Sequence, residues 1–386
     1  MLQLDRPRTP LAPPAAPVRP ARRPAGGAPG SPAGVEPPSV APARPTVDVS
    51  VLIPVLDEEA HLPRCVPAML AQDLDGTFEL LFVDGGSRDR TVPLLLELQA
   101  RDPRIRVLRN PRRTTAHGLN VALRAARGRH VARMDAHTEY PASYLRDGVE
   151  RLARGDVDWV AGPQVPTGHG YWSSVVARAL GGGLGRGASD KWRAADAAAP
   201  EEWPLTTSVF TGMWRRDTLD ALGGWDGDWP VNQDSEMAAR VLARGGRIVC
   251  RREMGAAYAP RDSLRRLARQ YWRYGRFRAR TFARHPRSCG PARLAAAALP
   301  AALAAAALPG PLGVAGRAAA AVYALAVVLQ VVRLRPRPRD AAPLAAALVT
   351  MHLAWGAGFL ASAVVALPRR RRLRAALPRP LLRPAA

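Results

Sequence analysis

From residue 49 to residue 134 the chain alternates short, apolar, β-rich runs with helix-forming stretches, and few folds accommodate that alternation. The runs are 49–55, 78–83, 105–108 and 130–134, and 60–72, 91–101 and 116–127 lie between them. Strands apolar on both faces and separated by helices require an α/β fold, a parallel sheet with helices packed on each side. Later runs at 157–161 and 247–250 add strands, and the glycine-rich stretch 181–187 reads as a flexible loop. Open sheets of this kind take ligands in the crevice beyond the carboxyl ends of their strands. Polar residues at those ends are therefore the first candidates for chemistry.

Four clusters stand there. Pro54 blocks continuation of the first strand, and Asp57, Glu58 and Glu59 follow it, charges suited to the start of a helix. Asp84 ends the second strand ahead of Gly85, Gly86 and Ser87. The glycines allow close backbone approach, Ser87 or Asp89 can cap a helix, and the Asp84 carboxylate can accept the N3–H of a uracil ring. After the fourth strand, Asp135-Ala136-His137 spaces two metal-capable side chains i, i+2, so that both can reach one divalent ion bridging a diphosphate. Asn232-Gln233-Asp234-Ser235-Glu236 precedes a helix over 237–243, where Asp234 is either an N-cap or a general base facing an acceptor hydroxyl.

The ends of the chain are of a different kind. Residues 1–45 are Pro, Ala, Gly and Arg with no sustained apolar run, which predicts a disordered tail and no signal peptide. Residues 263–284 form a basic amphipathic helix, with Leu264, Leu267, Tyr271, Tyr274, Phe277 and Phe282 among arginines, of the kind that lies on a bilayer. Three apolar blocks follow, 292–308, 312–332 and 341–367. The last carries no charged residue over 27 positions, long enough to cross about 30 Å of hydrocarbon. The chain thus divides into a tail (1–45), an α/β domain (46–262), an interface helix (263–288), a region of two or three spans (292–367) and a basic tail (368–386).

Arginine and lysine total 56 against 32 acidic residues, a net charge of +24, yet Lys191 is the one lysine. So strong an arginine bias, beside Ala and Pro richness, reflects base composition more than a nucleic-acid site, and the excess at the chain ends suits an anionic membrane surface. Cys65, Cys250 and Cys289 are far apart, which excludes a zinc ribbon or disulfide framework and fits a reducing compartment.

In order and spacing the four clusters resemble the family 2 inverting glycosyltransferases of GT-A fold. The likeness runs from about residue 49 to residue 284: VSVLIPVLDEE, FVDGGSRDRT, Leu119-Asn120-Val121-Ala122, FTGMWRR with LGGWD, and NQDSEMAAR. QYWRY at 270–274 resembles the QxxRW motif of membrane-associated members, with Tyr274 for Trp. RMDAHTEYP and the apolar C-terminal region resemble the succinoglycan-biosynthesis, ExoA-like branch. The resemblance implies a Rossmann-like, mostly parallel catalytic domain with C-terminal transmembrane helices, and Asp234 as base. It implies nucleotide contacts from Pro54, Asp57, Glu58, Asp84, Gly85, Ser87, Asn120 and Asp135. It further implies Mn²⁺ or Mg²⁺ on Asp135 and His137, and sugar contacts from Gly212, Gln233, Gln270 and Arg273. The implied partners are a nucleotide sugar (UDP-linked), a polyprenyl-linked saccharide acceptor and the cell membrane, crossed more than once with the catalytic domain cytoplasmic; no nucleic acid is implied. Two departures stand out: Asp135-Ala136-His137 replaces the usual DxD, and Gln233 replaces Glu before Asp234. A processive polysaccharide synthase would use the same site, whereas a non-catalytic basic adaptor would need none of it.

Overall fold

The computed structural model describes residues 47–366 except 188, 196–199, 208, 210 and 289; both expected tails lie outside the described residues. The first half comprises β1 (Val47–Val55), α1 (Leu62–Leu70), β2 (Phe78–Asp84), α2 (Thr91–Arg101), β3 (Ile105–Arg109), α3 (Thr115–Ala125), β4 (Gly128–Arg133) and α4 (Tyr144–Ala153). Next come β5 (Trp159–Ala161), β6 (Gln164–Pro166), α5 (Tyr171–Gly181), α6 (Gly183–Arg186), β7 (Glu202–Pro204), β8 (Gly212–Arg215), α7 (Arg216–Leu222), α8 (Gln233–Ala243), β9 (Ile248–Arg251) and β10 (Ala256–Tyr258). Four helices end the described residues: α9 (Leu264–Arg284), α10 (Pro291–Ala305), α11 (Gly310–Leu334) and α12 (Pro338–Ala366).

Eight strands form one sheet in the order β3-β2-β1-β4-β8-β5-β9-β7, and β10 pairs with β6 apart from it. The four strands legible in the pattern are mutually parallel, while β8 runs antiparallel between β4 and β5. Two-residue periodicity sorts the core. Val49, Val51, Ile53 and Val55 pack with α1, α2 and α4 on one face; Leu52, Leu81 and Val83 pack with α3, α7 and α8 on the other.

Pro54 does not end its strand, contrary to the expectation from sequence: β1 continues through it to Val55, pairing Pro54 with Val83 of β2. The Leu52 carbonyl faces β4, accepting from the Met134 N–H at 3.2 Å, and the last β1–β4 pair is Leu52 with Arg133. Two residues on, Pro54 turns its donorless nitrogen to that same side, where β4 has already left.

The 181–187 stretch is no flexible loop but the end of α5 and the short α6. Its glycines are packing positions: a Cβ on Gly182 would stand 2.3 Å from Gln330 Nε2, and one on Gly185 would stand 1.9 Å from the Ala179 carbonyl oxygen. They let α5 and α6 seat against α11 and α12.

Helix α9 also departs from its expected posture. Leu267, Gly275 and Ala279 are buried, with Leu267 in a cluster holding Leu344, Ala347, Leu348 and Met351 of α12. Added Cβ atoms would meet backbone oxygens of the partner helix, Gly275 at 1.9 Å from Trp355 O and Gly358 at 2.2 Å from Trp272 O. The apolar side of α9 therefore faces α12 rather than a bilayer, and Arg265, Arg266, Arg269, Arg273, Arg276 and Arg280 remain exposed. Helices α11 and α12 are both long and apolar enough to cross a membrane, and α11 is the less covered, with 17% of its most apolar window buried against 39% for α12.

Candidate active site

The turns after β1 and β2 are stitched to each other. Asp84 is buried, and its carboxylate accepts from Gly86 N (2.9 Å), Ser87 N (3.0 Å) and Ser87 Oγ (2.6 Å). That leaves it one lone-pair position for a ligand. Asp57, at φ 56°, donates its N–H to Ser87 Oγ (2.9 Å) and accepts from Arg88 N (2.7 Å). The Glu58 N–H donates to Thr91 Oγ1 at 2.7 Å, and Glu59 and Asp89 each accept a backbone N–H of the opposite turn. A Cβ on Gly85 would sit in van der Waals contact with Val55 O (3.4 Å) and Arg113 O (3.5 Å), so the turn lies close against its neighbours. The carboxylates of Asp57 and Asp84 thus chiefly build the floor of the crevice.

At the end of β4 the structure adds a residue that sequence reasoning missed. Arg133 is 4% exposed, and its guanidinium reaches Asp135 (Nε–Oδ1, 3.1 Å) on one side and Asp234 (Nη1–Oδ1, 2.6 Å) on the other. The i, i+2 spacing that drew notice to Asp135 and His137 also places Arg133 and Asp135 on one side of an extended chain. That local spacing marks the Arg133–Asp135 pair but carries no sign of Asp234, 101 residues away. Gly212 of β8 pairs with Arg133, and its Cβ would stand 2.0 Å from Trp159 Nε1; its place is beside the guanidinium's own strand.

Asp234 is not an N-cap. Asn232, at φ 60°, holds that position; α8 starts at Gln233, which is buried, and Asp234 follows within the first turn. Burial pushes the Asp234 carboxyl up to about 6 and the Asp135 charge adds to this, while Arg133 and Lys191 pull it down. Lys191 is itself pushed down to about 8 by burial. The crevice therefore holds the chain's single lysine, a second residue that the sequence reading passed over.

His137 Nδ1 lies 2.9 Å from Glu58 Oε1, and this contact raises the imidazole above its ordinary value. Among the described residues no three His, Cys, Asp or Glu side chains gather into a ready ligand set. Asp135 and His137 offer a carboxylate and an imidazole, ligand types that a divalent ion at a phosphate site accepts beside diphosphate and water oxygens. A metal there would compete with Glu58 for the His137 imidazole.

Two expected ligand contacts have other occupations, and a third lies on an exposed helix face. Asn120 clamps Trp225, its Nδ2 donating to Trp225 O (2.6 Å) and its Oδ1 accepting from Trp225 N (2.9 Å), so it holds the turn ahead of α8 rather than facing the crevice floor. Gln270 Nε2 donates to the hydroxyls of Tyr258 (3.1 Å) and Tyr274 (2.9 Å), tying α9 to β10. The Tyr274 carbonyl accepts from Asn232 Nδ2 at 3.1 Å, which leaves Gln270 one link from the start of α8. Arg273 is on the exposed side of α9.

With this geometry in hand, likeness to known proteins is informative. Residues 50–216 match the family described as Glycosyl transferase family 2. The succinoglycan biosynthesis protein ExoA of Rhizobium meliloti (strain 1021) is 30% identical over 316 residues, covering 80% of this chain and 93% of its own. A Methanococcus voltae transferase that uses dolichyl N-acetyl-alpha-D-glucosaminyl phosphate is 22% identical over 238 residues, 59% of this chain and 71% of its own. Among solved structures, the mannosyltransferase PcManGT from Pyrobaculum calidifontis, in complex with GDP-Man and Mn²⁺, shares the fold at a TM-score of 0.50 and 24% identity. The match covers 82% of this chain and 90% of that one. A GT-A sheet with its acidic turns at the strand ends, and a relative aligned over most of both lengths, place this chain in glycosyl transferase family 2, in its ExoA-like branch.

Proposed function

We propose that this glycosyltransferase moves a hexose from a nucleotide sugar, UDP-linked, to a saccharide carried on a polyprenyl lipid, with inversion at the anomeric carbon. The product belongs to exopolysaccharide or cell-envelope glycan synthesis. The enzyme works at the membrane, held by its C-terminal apolar helices in a multi-pass arrangement with the catalytic domain on the cytoplasmic side. The observation that carries the reading is Asp234: a buried carboxylate near pH 6, fixed by Arg133 and facing the same crevice as the turns of β1, β2 and β4.

A base of that strength is ionised at neutral pH yet still takes a proton readily. Asp234 removes the acceptor hydroxyl's proton as the acceptor oxygen bonds to the anomeric carbon and the bond from that carbon to the diphosphate breaks. Arg133 cannot swing away, being buried between two carboxylates, so it sets the direction of the Asp234 lone pair before substrate arrives. A divalent ion, Mn²⁺ or Mg²⁺, when bound by Asp135 and His137, would neutralise charge on the departing nucleoside diphosphate. Asp84, Gly85, Ser87 and the Glu58 turn shape the place for the nucleoside, while Gly212 and Gln233 border the acceptor side and Gln270 supports that side through Tyr274 and Asn232.

Asp234→Asn keeps the shape and removes the base. The expected result is loss of sugar transfer by about two to four orders of magnitude, with nucleotide affinity nearly unchanged. Transfer at the wild-type rate would remove Asp234 from the mechanism.

A further inference from the structure

A cavity of about 210 Å³ opens where the catalytic domain meets the elbow between α11 and α12. Helix α5 lines one side with Tyr171, Val175 and Arg178, which recur at helical spacing and so share a face. The elbow lines the other side with Arg337, Arg339 and Asp340, and Leu344 of α12 stands at its base. Arg335, in the left-handed conformation at φ 45°, and the prolines at 336 and 338 fix the course of the elbow.

Three guanidinium groups against one carboxylate leave the cavity cationic. Asp340 is engaged, accepting from the Tyr171 hydroxyl at 3.2 Å, with Arg339 Nε 3.9 Å away. Among the described residues neither Arg178 nor Arg337 has a hydrogen-bond or ion-pair partner for its guanidinium, although acidic residues pair with arginines over much of the catalytic domain. Val175 and Leu344 are buried, so the base of the cavity is apolar. The elbow also lies at one end of two helices long enough to cross a bilayer, the level at which lipid headgroups stand.

From these features we propose that the cavity holds the phosphate of an anionic membrane phospholipid, its headgroup among Arg178, Arg337 and Arg339 and its first methylenes against Val175 and Leu344. A soluble phosphate would use the arginines and leave the apolar base without purpose. The lipid pins the catalytic domain to the C-terminal helices at a fixed height above the bilayer. The inference rests on the membrane association proposed above and adds a specific lipid site to it.

The test reconstitutes the full chain into nanodiscs of phosphatidylcholine with phosphatidylglycerol and counts retained lipids by native mass spectrometry. Wild type is expected to keep one phosphatidylglycerol per chain. Arg178→Gln with Arg337→Gln, both exposed positions that leave packing untouched, should retain roughly thirty-fold less, the factor that two lost Arg contacts at a charged bilayer surface amount to. Equal retention by both proteins, or none by wild type, overturns the site. Displacement of the lipid by an equal concentration of inorganic phosphate overturns it as well, in favour of a soluble anion. Failure of wild type to enter nanodiscs refutes membrane association itself and the site with it, a result separate from entry without retention.

Discussion

Burial decides how the two polar centres of the crevice titrate. Asp234 at about 6 must be unprotonated to act, so activity should be full above that pH and fall as pH drops through it. Lys191 is among the charges that pull the Asp234 carboxyl down, so Lys191→Met should move the acid limb of kcat to higher pH. A pH–rate profile checks both; an acid limb that stays in place in the variant would remove Lys191 from the electrostatics of the base. Residues of this kind are also where sequence reading succeeded least. Asp84, Asp135 and Asp234 were legible because an acid at a strand or helix end is conspicuous in a linear pattern. Arg133 was not, because its meaning comes from Asp234, which lies 101 residues further on. Asn120 was legible as a distinctive residue, but its partner Trp225 is 105 residues away, and so its clamp role was hidden.

Elements follow the same division between local and distant causes. The four parallel strands are set by apolar runs of four to seven residues and the helices between them by stretches of eleven to thirteen, and they fall within a few positions of expectation. Strands β6, β7, β8 and β10 have three or four residues each, too few to show periodicity, and only their neighbours make them strands. The glycines at 181–187 look like freedom in a sequence and act as close contacts in the fold. Helix α9 was legible as amphipathic, but a sequence does not say whether a bilayer or another helix covers its apolar side. The α9–α12 contact is testable: Gly275→Leu should lower stability by about 1–3 kcal/mol, because its Cβ would be forced onto the Trp355 carbonyl. Gly290→Ala, at φ −78° with open space around it, should change nothing. Thermal unfolding in detergent measures both, and equal unfolding midpoints would contradict the close crossing.

At the scale of the whole molecule, the described residues between 47 and 366 form one compact unit in which a polar crevice and an apolar surface coexist. The apolar surface is concentrated on α11, where Val314, Val322, Leu325, Val328, Leu329 and Val332 are exposed. A charge at the centre of a membrane helix costs about 2.5–3.5 kcal/mol, so Val322→Asp with Leu325→Asp should shift the protein from the membrane pellet to the supernatant while leaving its nucleotide affinity unchanged. Unchanged pelleting would mean that another surface holds the membrane. In the function proposed above, the assembled molecule displaces a nucleoside diphosphate from a sugar in a single step and passes that sugar to a lipid-borne acceptor. The most direct measurement is the anomeric configuration of the product, read by NMR after wild-type membranes have worked on an α-linked UDP-hexose and a polyprenyl-linked saccharide. A β-linked hexose on the lipid is the predicted result. An α-linked one would contradict a single displacement with Asp234 as base.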